Sequence, residues 1–151
     1  MSIEVRESDP REPGATELLR ASHRLMEQLF PAESNHFLTV DELGDASIRF
    51  FTAHDGDAVL GCGALSVKDG YGEVKSMFTA PEGRGRGIAR QVLMRIESEA
   101  RTLGLPVLRL ETGDLLHDAH SLYARHGFAL CDPFGDYVED PNSIFMEKRL
   151  D

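Results

Sequence analysis

Ile3 and Val5 alternate with polar neighbours, which predicts a short strand over 3–7. Asp9, Pro10, Pro13 and Gly14 interrupt it. Leu18, Leu19, Ser22, Leu25, Met26 and Leu29 then recur at helical spacing, so a helix is expected over 14–29, with Pro31 just past its end. Residues 35–43 read as a loop holding at most one short helix. Ile48, Phe50 and Thr52 fall on one side of a strand over 47–53. The His54-Asp55-Gly56-Asp57 sequence is a hairpin turn, 58–67 the returning strand, Lys68-Asp69-Gly70 a second turn and 72–79 the next strand. Three strands joined by tight turns imply an antiparallel meander.

Past Pro81 the period changes. Ile88, Val92, Ile96, Ala100 and Leu103 mark a long helix, closed by Gly104 and Pro106. A short apolar strand over 107–110 follows. Ala119, Leu122, Tyr123 and His126 line a last helix before Gly127, and two strands are expected over 128–131 and 144–150. The order is β-α-β-β-β-α-β-α-β-β, a mixed α/β class. A chain of 151 residues fits one domain spanning 1–151.

Composition narrows the function. Asp and Glu number 26 against 16 Lys and Arg, a net charge of −10. That opposes general binding to nucleic acid or to an anionic membrane. No run of apolar residues is long enough to span a bilayer, and the first residues carry no apolar signal core, which reads against export. Cys62 and Cys131 cannot build a disulfide framework. They read as buried free thiols in a reducing compartment, so a cytoplasmic location is expected. His117 and His120 stand three apart, but no matching ligand set accompanies them, and no metal is expected.

The stretch richest in chemistry is Glu82-Gly83-Arg84-Gly85-Arg86-Gly87-Ile88-Ala89-Arg90, between a strand and the long helix. Glycines let backbone approach a ligand closely, the helix start presents N–H groups without partners, and its dipole favours an anion. Three arginines add positive charge to an otherwise acidic chain. The physical content is a phosphate site, most naturally for a pyrophosphate; the competing reading is a solvated loop. Two phosphate fingerprints fit worse. Ile88 stands where the third glycine of G-x-G-x-x-G belongs, and the Gly-Lys-Ser/Thr of a P-loop is absent.

Arg84-x-x-Gly87-x-Ala89 resembles the Gln/Arg-x-x-Gly-x-Gly/Ala motif of the GNAT superfamily of N-acetyltransferases. Ala119-x-x-Leu122-Tyr123-x-x-x-Gly127-Phe128 resembles a second stretch that the family carries after its fifth strand, and the element order agrees across nearly the whole chain. The resemblance implies a mainly antiparallel sheet of about seven strands, splayed between the fourth and fifth and flanked by about four helices. It implies acetyl-CoA as acyl donor and a primary amine of a small molecule or peptide as acceptor, attacked directly without a covalent acyl-enzyme. A non-catalytic acyl-CoA sensor on the same fold is the alternative.

The resemblance also assigns residues. The CoA pyrophosphate would lie on the backbone of Arg84, Gly85, Arg86, Gly87, Ile88 and Ala89, with Arg90 at the edge. The pantetheine arm would run along Met77, Phe78 and Thr79 as an added strand, and an N–H there would polarise the thioester carbonyl. Tyr123 is the candidate general acid toward the leaving thiolate, with a core tyrosine as the bland reading. Glu73 stands eleven residues before Arg84, where one branch of the family carries its base, on a regular strand face with Lys75, Met77 and Thr79. Lys75 could instead hold Glu73 in an ion pair, and an exposed strand-end carboxylate is the bland reading; Glu111 and a water chain are the alternative bases. Leu116 departs from the polar residue that many relatives place seven before the tyrosine.

Glu33, Asn35 and His36, in the loop after the first helix, are the acceptor-binding candidates; a turn with a helix cap is the competing reading. Asp132, Asp136, Glu139 and Asp140 form an acidic loop that would steer a cationic amine or simply be solvated. Homodimers are common in this family, but the sequence names no interface.

Overall fold

A computed structural model describes residues 2–150. The elements are β1 (Glu4–Glu7), α1 (Pro13–Leu29), a 3-10 turn (Ala32–Ser34), α2 (Val40–Leu43), β2 (Ile48–Asp55), β3 (Ala58–Lys68) and β4 (Tyr71–Thr79). A second 3-10 turn (Pro81–Gly83) leads to α3 (Ile88–Thr102), β5 (Val107–Gly113), α4 (His117–Arg125), β6 (Ala129–Leu130) and β7 (Ser143–Arg149). The seven strands form one sheet in the order β1-β2-β3-β4-β5-β7-β6. Only β4 and β5 are parallel; the other neighbours run antiparallel.

Both faces of the sheet are covered. Phe51, Leu65, Val74, Leu108 and Leu110 pack against Ile88, Val92, Ile96 and Ala100 of α3 and Leu122 of α4. On the other face, Phe50, Cys62 and Ala64 pack against Ala15, Leu18 and Leu19 of α1 and Leu43 of α2. Alternate residues of β2 and β3 thus serve opposite cores, which is why these strands read as nearly continuous apolar runs.

The strand boundaries depart from the sequence pattern in two places. β5 runs past Leu110 to Gly113, because Glu111, Thr112 and Gly113 still pair with Phe145, Ile144 and Ser143 of β7. β6 shrinks from the expected 128–131 to two residues, paired only with Met146 and Glu147. Pro133, which lacks an N–H, follows soon after and helps to turn the chain out of the sheet.

A third departure bears on the site. Cys62 pairs with Phe78 but Ala64 pairs with Lys75, so β4 carries one residue more than β3 between those points. Ser76 takes up the difference in the left-handed region, at φ 57°. The bulge reverses the alternation. Lys75 and Phe78 come to lie on the α1 face, whereas Met77 packs into the α3 core beside Gly63. The expectation that Met77 shares a face with Glu73 and Lys75 is therefore corrected.

Candidate active site

β4 and β5 pair over three residues only: Gly72 with Leu108, Glu73 with Arg109 and Val74 with Leu110. Beyond Val74 the strands separate, as the expected splay requires, and β5 continues along β7 instead. The edge of β4 from Lys75 onward therefore has no strand beside it, and its residues are half-buried rather than buried. Strand edges of this kind present N–H and C=O groups to whatever lies alongside. The side chains of Met77 and Phe78 are committed to the two cores, and Thr79 pairs with Gly61. Along this stretch it is the backbone that faces the gap.

The gap ends at the glycine-rich turn. Gly85 and Gly87 adopt φ 79° and 74°, and a Cβ at either position would meet nothing within 4 Å. Gly87 is the N-cap of α3 and supplies no side-chain cap. The helical ladder begins only at Gln91, whose N–H bonds Gly87 O at 3.1 Å. The first-turn N–H groups thus point outward, at the positive end of a 15-residue helix. Ile88 is buried, so it offers only its backbone. Arg84 and Arg90 are exposed beside the turn. Arg86 instead donates to Asp55 Oδ2 at 2.9 Å and pins the turn to the end of β2. Open glycine backbone, free N–H groups and flanking arginines fit a pyrophosphate.

Tyr123 projects from α4 into the α3 core, 5% exposed, with its ring tilted on Phe128 at 5.7 Å. Burial, and secondarily the charge of Glu111, push its phenol upward, so it stays protonated at neutral pH. Burial likewise raises the Glu111 carboxyl, against the opposing pull of Ser143, His36 and Lys75. Cys62 is fully enclosed, and burial pushes its thiol up to about 12. Burial also raises the Cys131 thiol.

Across the gap, side chains converge. Glu73 is 4% exposed. Tyr137 donates its hydroxyl to Glu73 Oε2 at 2.5 Å. Lys75 Nζ lies 3.5 Å from the same oxygen and donates to Tyr137 Oη at 2.9 Å and to His36 O at 2.8 Å. The His36 ring stands edge-on to Tyr137, 5.1 Å between centroids. Ser34 donates to Asp140 Oδ2 at 2.7 Å and accepts from Asn142 at 3.2 Å, which ties the turn after α1 to the loop before β7.

Of the acceptor candidates, only His36 touches this cluster. Asn35 donates its amide to Phe30 O and Pro31 O, a cap on the end of α1, and Glu33 is exposed. In the acidic loop, Asp140 anchors the turn while Asp132, Asp136 and Glu139 are exposed. Tyr137 is the residue that sequence reasoning missed. It sits in an irregular loop 64 positions from Glu73, and no spacing signals such a pair. His120 Nε2 lies 2.7 Å from Gly113 O. Among the described residues, no helix is long and apolar enough to cross a membrane.

Residues 14–128 match the acetyltransferase (GNAT) family, and the chain belongs to it. It is similar to an IAA acetyltransferase of Azospirillum brasilense, 43% identical over 151 residues and 99% of each chain. It is also similar to YsnE of Bacillus subtilis (strain 168), an uncharacterized N-acetyltransferase, 44% identical over 128 residues, 83% of this chain and 85% of that one. The fold agrees with that of PaiA N-acetyltransferase from Thermoplasma acidophilum, solved in complex with coenzyme A, at a TM-score of 0.77, with 99% of each chain covered and 19% identity.

Proposed function

We propose that the protein moves an acetyl group from acetyl-CoA to a primary amine of a small molecule or peptide. The observation that carries this reading is the continuity of the donor side: the unpaired edge of β4 runs into an open, glycine-lined helix start. The backbone of Arg84, Gly85, Arg86, Gly87, Ile88 and Ala89 would cradle the pyrophosphate, with Arg84 and Arg90 at its rim. Met77, Phe78 and Thr79 would supply backbone partners to the pantetheine arm. An N–H at Met77 or Phe78 would face the thioester oxygen, which gains negative charge as the carbonyl is attacked.

Transfer is direct. The amine nitrogen bonds the acetyl carbon, the carbon–sulfur bond breaks, and CoA leaves as a thiolate. An ammonium acceptor first loses one proton, for which Glu73 is the base; after attack the nitrogen loses a second, which ends on the thiolate sulfur. Tyr123 would face that sulfur. With its phenol raised above the range of an ordinary thiol, it acts chiefly as a hydrogen-bond donor to the thiolate. A cysteine route has no support, because a buried thiol at about 12 supplies almost no thiolate at neutral pH.

The test is thiol release from acetyl-CoA and longer acyl-CoAs across a panel of amines. Turnover with at least one primary amine, and kcat lowered about tenfold or more in Tyr123→Phe with CoA affinity kept, is the expected result. Tight CoA binding with no turnover on any amine, and a silent Tyr123→Phe, would instead make the chain an acyl-CoA sensor.

A further inference from the structure

We infer that Tyr137 and Lys75 are positioning residues that hold the Glu73 carboxylate in one orientation and close the acceptor side of the cleft. The inference rests on Glu73 being the base. Glu73 Oε2 receives the Tyr137 hydroxyl at 2.5 Å and the Lys75 ammonium at 3.5 Å, while Lys75 also donates to Tyr137. With one carboxylate oxygen held by two partners, the group has little rotational freedom, and its reactive geometry is set before the amine arrives.

The two partners come from different segments, which gives the arrangement its second consequence. Lys75 belongs to β4, Tyr137 to the loop before β7, and the carbonyl that Lys75 reaches belongs to His36. Lys75 therefore joins the strand floor to both acceptor-side loops. The ring of Tyr137 is held independently of its hydroxyl, between His36, Phe134 and Phe145 at 5.1, 5.1 and 5.5 Å. Removing the oxygen should therefore leave the loop in place and affect mainly the carboxylate.

Titratable and charged groups surround Glu73 from every neighbouring element. β4 brings Tyr71 and Lys75, β5 brings Arg109 and Glu111, and the loops bring Tyr137, with His36 packed on Tyr137 behind it. Arg109 is occupied by Glu147 at 3.2 Å and by the ring of Tyr71 at 4.9 Å. Among the described residues, the Tyr137 phenol is the neutral donor to the Glu73 carboxylate. Carboxylates that lose a donor keep their proton to higher pH.

Tyr137→Phe is the experiment, read as the pH profile of kcat/KM for the amine. The acid limb should move to higher pH by about one unit, from the loss of a hydrogen bond to a charged group. The KM for acetyl-CoA and the melting temperature should stay near their wild-type values. Lys75→Arg, which keeps the charge, should retain more activity than Lys75→Met. An unshifted acid limb in Tyr137→Phe, with the loss confined to KM or to melting temperature, overturns the positioning role. Glu73→Gln separates this from failure of the underlying reading. If that variant turns over normally, Glu73 is not the base and the proposal falls with it; if it is inactive while Tyr137→Phe keeps the wild-type profile, only the positioning role falls.

Discussion

The two sides of the cleft are built from different materials. On the donor side the chain offers backbone: an unpaired strand edge and the first turn of α3, shaped by left-handed glycines. On the acceptor side it offers side chains, brought by β4, the turn after α1 and the loop before β7. Backbone is the same in every residue, so one geometry can grip the same donor in many sequences. Side chains differ, so the acceptor side is free to vary without disturbing the donor grip.

Substitutions should separate the two sides, and the largest effect belongs to the donor side. Gly87→Asp puts a carboxylate and a strained left-handed residue where a diphosphate would sit, yet its Cβ meets no neighbour. CoA affinity measured by calorimetry should fall about 100-fold or more, equivalent to roughly 2.7 kcal/mol, in a protein that still melts cooperatively. Unchanged affinity would break the assignment of this side. Next in size is Tyr123→Phe, where kcat rather than CoA affinity should respond.

Ser34→Ala tests the acceptor side alone. It removes the joint between the turn after α1 and the Asp140 and Asn142 side chains, at a cost of about 1 kcal/mol in stability, measured by thermal unfolding. The amine KM should rise a few-fold while the acetyl-CoA KM stays put. Equal changes in both would mean that the two sides are mechanically one. The smallest effect is expected from Cys62→Ser and Cys131→Ser. Both should leave kcat close to wild type, since neither thiol is ionised near neutral pH; an acetyl-cysteine trapped by mass spectrometry would contradict this.

The same division explains what the sequence made legible. The cradle was readable because the glycines that bend it and the four-residue period of α3 are local. The splay and the Tyr123 stretch became readable through resemblance to a family. Glu73 and Lys75 could be placed as neighbours on one strand face, but their partner Tyr137 could not, because an irregular loop carries no period. The end of β5 was misplaced for a related reason. Glu111 and Thr112 are polar yet belong to the strand, and β7 covers only their backbone edge. The bulge was invisible, since Ser76 is an ordinary serine whose left-handed conformation comes from tertiary context.

That serine has a consequence for how the strand is used. Nine consecutive residues of β4 answer to two masters. Upstream of Ser76, Val74 serves the core under α3 while Lys75 looks toward α1; downstream, two neighbours in a row swap those duties, Met77 turning to α3 and Phe78 to α1. One uncounted residue lets a single ribbon of chain change its customers halfway along, without a break in its length.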